Sequence, residues 1–145
     1  QMGQFQDERL VGCVSIVAAI EQLWEETRRW CEERVLFGRP LAKMQNTQFK
    51  MVELATEIRA ARELVYACVR RRMAGEDATR LITMAKLFCG RVARRAADEC
   101  IPFHGGYGYM KESAAGRAFV DTRLISIGGG SDETMLFYLA KQLGF

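Results

Sequence analysis

Only two prolines, Pro40 and Pro102, interrupt the 145 residues, and glycine concentrates in two late clusters, His104-Gly105-Gly106-Tyr107-Gly108-Tyr109 and Ile127-Gly128-Gly129-Gly130-Ser131. A proline removes a backbone donor and blocks the helical ladder, so a chain with so few can run as long helices. Abundant Ala, Leu, Glu, Arg and Met point the same way. The consequence is an all-α fold, because no segment alternates strictly between apolar and polar residues as a half-buried strand does.

Three long segments carry the 3.6-residue repeat. From about Gln6 to Leu36 the apolar positions are Leu10, Cys13, Val14, Val17, Ile20, Leu23, Trp24 and Cys31, with Glu25, Glu26, Arg28, Arg29, Glu32 and Glu33 on the other face. Phe37-Gly38-Arg39-Pro40 ends this helix, since glycine accepts the left-handed cap and proline cannot continue the ladder. A second helix from about Gln45 to Met73 carries Phe49, Val52, Leu54, Ile58, Ala61, Val65 and Cys68, with Arg70-Arg71-Arg72 suiting the dipole at its end. Glu76 or Asp77 begins a third, expected to stop at Pro102. Ser113 caps a shorter helix to about Leu124, and Ser131 or Asp132 caps a last one, Glu133 to Leu143. Short links make these neighbours antiparallel, giving an up-and-down bundle of four to five helices in a single domain spanning residues 1–145.

Composition narrows the function classes. At 49% hydrophobic and 27% charged residues the chain is ordinary for a soluble globular domain. A net charge of +3, with acidic residues interspersed and no aromatic platform beside the arginines, argues against nucleic acid. Five cysteines without a CxxC spacing sit in apolar helical pattern and indicate a reducing compartment. One histidine and no clustered ligands exclude a zinc site. No apolar run approaches the length of a membrane span. The chain opens Gln1-Met2-Gly3-Gln4-Phe5 and reads as a piece of a longer protein.

Glycines this close together cost backbone entropy, so a helical domain keeps them where φ must be positive or where another molecule approaches the main chain. Read alone, each cluster is equally a tight interhelical turn. With their flanks they say more. His104 to Glu112, then Arg117-Ala118-Phe119-Val120-Asp121-Thr122-Arg123, then Ile127 to Glu133 and a closing Ala140-Lys141-Gln142-Leu143-Gly144 resemble the end of an acyl-CoA dehydrogenase in order and spacing. The likeness extends back through Arg34 to Pro40 and to Met2-Gly3-Gln4-Phe5, covering the C-terminal helical domain of that family. The family's N-terminal helical and middle β domains are not in this chain, which by itself is therefore expected to be inactive.

The resemblance implies an FAD enzyme that removes the α-proton of an acyl-CoA thioester with a glutamate while the β-hydride passes to flavin. In much of the family that glutamate immediately precedes the glycine of the second loop, where this chain has Gly129. A second group, including the long-chain and isovaleryl enzymes, carries it near the start of the first long helix, where Glu8 stands. The exchange is physically sensible, since a base need only bring an oxygen within reach of the proton. By resemblance, Arg9 lies beside the substrate, and the backbone N–H of Gly129 polarises the thioester carbonyl, which needs no side chain. Without the resemblance, Glu8 is simply an acid in the first helical turn.

The same likeness assigns cofactor contacts. Arg34 matches an arginine that reaches the FAD of a neighbouring subunit, a guanidinium being well matched to pyrophosphate. Read alone, it is a surface ion-pair partner for Glu32 or Glu33. Phe37 and Gln45 match flavin contacts, His104, Gly105 and Gly106 match the loop along the adenosine half, and Ser131 and Glu133 match the helix start that meets the flavin. One residue departs: the family's glutamine two positions before the histidine is Pro102 here, which has neither that amide nor a backbone N–H. The resemblance further implies a homodimer or homotetramer, an electron-transfer flavoprotein as acceptor, and the mitochondrial matrix or bacterial cytoplasm. Two other outcomes stay open, a non-catalytic assembly subunit of the same fold and a flavin acyl-CoA oxidase.

Overall fold

The periodic segments form five helices, in a computed structural model that describes residues 2–145, with side-chain surroundings from residue 5 onward. Gln1 and the side chains of Met2, Gly3 and Gln4, which carry most of the opening likeness, lie outside the described residues. Helix α1 spans Met2–Glu33, α2 Gln45–Met73, α3 Thr79–His104, α4 Ala114–Ile125 and α5 Asp132–Leu143. Helix α3 is the central member, packed against α1, α2, α4 and α5. Its buried stripe of Ile82, Ala85, Cys89, Val92, Ala93, Ala96, Ala97 and Cys100 is rich in small residues, which lets the neighbouring helices approach closely. Opposite it lie Leu10, Cys13, Val17 and Ile20 of α1 and Leu54, Ile58, Ala61, Val65 and Cys68 of α2. On α2 the buried set begins at Thr47 and repeats by four and three, so Phe49 and Val52 fall on the exposed face.

Side-chain caps start the last two helices. Ser113 accepts from the Gly116 amide at 3.4 Å to start α4, and Ser131 accepts from the Thr134 amide at 3.3 Å to start α5. Helix α3 begins at Thr79, whose amide donates to the Asp77 carboxylate at 2.9 Å, so Asp77 acts just ahead of the helix. Gly144, in the left-handed region, closes α5.

Three expectations need correction. Helix α1 ends at Glu33, not Leu36, and the next residues form a small antiparallel hairpin of β1 (Val35–Leu36) and β2 (Arg39–Pro40). Its two-residue turn holds Phe37 at φ 51° and Gly38 at φ 77°, the sign pairing that matches strand twist in tight hairpins. A span of two residues per strand is too short for alternation to reveal. Second, Pro102 does not stop α3, which continues to His104. Tertiary bonds hold that last turn: Trp30 Nε1 donates to the Phe103 carbonyl at 3.0 Å, and Thr27 Oγ1 bonds His104 Nε2 at 3.0 Å. Third, because α1 is already running at Met2, Glu8 stands in its second turn rather than its first.

Candidate functional site

The turn between α4 and α5 is built by glycines at positive φ, Gly129 at 66° and Gly130 at 105°. Long side chains from two other helices hold its carbonyls. Arg9 on α1 donates from Nε to the Gly129 oxygen at 2.9 Å, and the Lys86 ammonium on α3 donates to the Gly130 oxygen. Together with the α4 flank, Arg9, Lys86 and Gly129 line a groove of about 410 Å³ that also contains Glu8, Gly12, Asp121 and Gly128. Glu8, Arg9 and Gly129, far apart in sequence, thus share one groove. Glu8 is exposed at its wall. A side chain at 129 would meet Arg9 Cγ at 3.6 Å and Lys86 Cε at 3.7 Å, so the missing one leaves open groove volume.

Ser131 and Glu133 stand immediately after this turn, at the start of α5. They do not line the groove. The Glu133 carboxyl is held below its ordinary range by backbone N–H donation at the helix start and by the Ser131 hydroxyl.

A second groove, of about 480 Å³, opens where the end of α1 faces the end of α3. It gathers Arg34, His104, Gly105 and Gly106, with Trp30, Lys50, Glu99, Pro102 and Tyr107 around them. Glu32 and Glu25 pair with Arg28, and Arg34 makes no ion pair among the described residues. Gly105 and Gly106 open a short 3₁₀ turn, Gly105–Tyr109, in place of the expected loop, and a Cβ at either would meet nothing within 4 Å. Main chain is therefore bare toward the groove. His104 is held below its ordinary pKa by burial, opposed by Glu26, and its Nδ1 is buried with no partner among the described residues. Trp30 stacks on Tyr107 at 5.5 Å and lies tilted against His104 at 5.0 Å.

Two more assigned residues join Ser131 and Glu133 outside both grooves. Phe37, at the hairpin tip, is 95% exposed, and Gln45 is exposed at the first position of α2, between Met44 and Asn46, which do line the second groove. Lys86 and Trp30 are the residues sequence reading missed. Lys86 left a signal: a lysine on the apolar stripe of α3, four residues after Ile82 and three before Cys89, where an amphipathic helix has no use for a charge.

The family model described as acyl-CoA dehydrogenase, C-terminal domain, matches residues 1–144, and the chain belongs to that family. It is 34% identical over 142 residues to the mouse mitochondrial long-chain specific acyl-CoA dehydrogenase, covering 98% of this chain and 33% of that protein. It superposes on an acyl-CoA dehydrogenase from Geobacillus kaustophilus with a TM-score of 0.96 at 34% identity, covering 99% of this chain and 38% of the other. Butyryl-CoA dehydrogenase from Megasphaera elsdenii gives 0.95 at 29% identity, covering 98% and 37%. The chain spans about a third of the length of these relatives. Among the described residues no helix is long and apolar enough to cross a membrane, and no cluster of metal-ligating side chains occurs.

Proposed function

We propose that the full-length protein is an FAD-dependent acyl-CoA dehydrogenase, that this chain is its C-terminal helical domain, and that Glu8 is the α-proton base. The observation that carries this is the convergence of Glu8, Arg9 and Gly129 on one groove. In the reaction the Glu8 carboxylate takes the α-proton, the electron pair of that C–H bond becomes the new Cα=Cβ bond, and the β-hydrogen leaves as hydride, giving the trans-2-enoyl thioester. Bound FAD supplies the acceptor for that hydride. Arg9 would lie beside the substrate and, with Lys86, holds the turn whose Gly129 amide would polarise the thioester carbonyl. The glycine at 129 leaves room for the acyl chain.

The second groove fits an FAD pyrophosphate and adenosine. A guanidinium at Arg34 with no ion pair among the described residues, the His104 ring, and main chain at Gly105 and Gly106 with no side chain to hold a ligand off are what such an anion and base require. Ser131 and Glu133, at a helix start, would meet the flavin end, and Phe37 and Gln45, exposed here, would contact a cofactor shared with a second subunit. That sharing calls for a homodimer or homotetramer. The exposed Val120, Leu124 and Ile127 offer apolar surface to bury. Electron-transfer flavoprotein is the proposed acceptor, and the mitochondrial matrix or bacterial cytoplasm the proposed compartment, in keeping with five free thiols. Pro102 in the second groove is the observation that favours an assembly subunit lacking catalysis. Anaerobic mixing of the full-length protein with acyl-CoA decides between them: bleaching of the flavin band supports the enzyme, and an unchanged spectrum overturns it.

A further inference from the structure

We infer that Lys86 is a positioning residue for the proton-abstraction step, its buried ammonium fixing the conformation of the Gly129–Gly130 turn that would hold the thioester carbonyl. This rests on the function proposed above. Lys86 is 2% exposed, and no carboxylate lies within ion-pair distance of it among the described residues. A buried ammonium is unfavourable where an apolar chain of the same length would fill the space. Its one acceptor is the Gly130 carbonyl.

The neighbouring carbonyl, that of Gly129, is taken by Arg9 from the opposite helix. The Asp132 amide donates to the Ser126 carbonyl at 3.3 Å, closing the base of the same turn. In a trans peptide the C=O and the next N–H point in opposite directions. Gripping the Gly129 and Gly130 oxygens therefore fixes the peptide planes that carry the Gly130 and Ser131 amides, and with them the dihedrals on both sides of Gly130. The amides of Gly129, Gly130 and Ser131 meet no acceptor in the chain among the described residues, leaving them available to a ligand oxygen. Two adjacent glycines at positive φ hold no such geometry by themselves. The grip from α3 supplies it.

The test uses the full-length, FAD-loaded protein and Lys86→Met, which keeps the bulk of the side chain and removes its donor. Amide exchange across 126–132 should quicken by about tenfold or more while the rest of the domain holds. An acyl-CoA with sulfur in place of the β-carbon has an α-proton but no β-hydride, so its charge-transfer absorbance against oxidised flavin reports deprotonation alone. Its rate of appearance should fall about tenfold or more in Lys86→Met, with analogue affinity within about threefold of the unmutated protein. Unmutated exchange and unmutated deprotonation overturn the proposal. Where Lys86→Met does not fold, Lys86→Gln, one bond too short to reach Gly130, is read the same way. Failure of both to fold assigns Lys86 to the core and also overturns it. Glu8→Gln serves as the separate control: an analogue band that forms normally in it refutes the base assignment, while the exchange result still decides Lys86.

Discussion

Arg9 on α1 and Gly129, before α5, are joined by a hydrogen bond of 2.9 Å across 120 positions of sequence. The residue beside Arg9 is Glu8, so this bond fixes the distance between the proposed base and the turn that would hold the thioester. Glu8→Gln in the full-length protein should bind acyl-CoA normally and lose about 10² to 10⁴ in flavin bleaching rate, because an amide accepts no proton at neutral pH. Bleaching at the unmutated rate would remove Glu8 from the mechanism. Adding Gly129→Glu should restore little. An L-residue at φ 66° is strained by roughly 1–2 kcal/mol, and its Cβ would already touch Arg9 Cγ at 3.6 Å and Lys86 Cε at 3.7 Å, which limits the rotamers open to its carboxylate.

Arg34→Gln should weaken FAD binding. Loss of a charge-assisted hydrogen bond is worth about 1.5–3 kcal/mol, or about tenfold to a hundredfold in Kd. Pro102→Gln should act in the opposite direction by restoring an amide in the same groove. Flavin retention through gel filtration, followed by titration of the apoprotein, measures both, and equal retention by all three proteins would exclude this groove as the cofactor's.

Gly116 and Gly106 make a matched pair for stability. A Cβ at Gly116 would lie 2.3 Å from the Met110 carbonyl oxygen and 2.9 Å from that of Gly108, whereas one at Gly106 meets nothing within 4 Å. Gly116→Ala should cost about 1–3 kcal/mol or more in urea unfolding, and Gly106→Ala should lie within about 0.5 kcal/mol of the unmutated chain. Comparable losses at both positions would contradict the packing described between the 3₁₀ turn and α4.

His104 makes the fold acid-sensitive. Burial holds its folded pKa below the ordinary 6.5, so as pH falls the unfolded chain takes up the proton first. Its contribution is fully present above 6.5 and is lost as pH falls through the depressed value. Denaturant midpoints compared at mildly alkaline and mildly acid pH should therefore fall less for His104→Gln than for the unmutated chain. Parallel profiles would show that His104 charges without cost.

Helix identity was legible from periodicity and caps: Ser113, Ser131 and the start of α2 at Gln45 stand where the sequence puts them. Tertiary contacts hid the rest. Nothing local reveals that Trp30 and Thr27 would hold the last turn of α3 past Pro102, since both reach it from 73 and 77 positions away. The hairpin at Phe37 escaped because two-residue strands carry no period. Of the site, the resemblance supplied Glu8, Arg9 and Gly129 as residues, and their shared groove needed the fold. Lys86 was visible only as an inconsistency in the stripe of α3, and which carbonyl it serves depends on a turn forty-four residues later.

The cysteines buried along the core give denaturation a memory. In the folded chain burial pushes the thiols of Cys31, Cys68 and Cys100 up to about 11, out of solvent and out of the thiolate form. Unfolding returns them to the ordinary 9.0, raising the thiolate fraction at neutral pH about 10²-fold at the same moment as they meet solvent. Every excursion to the open chain then risks exchange or oxidation that no longer permits repacking. Recovery after heating would be set by the time spent hot and by the reductant present, so the practical lifetime of this domain is governed by how often it opens rather than by its equilibrium stability.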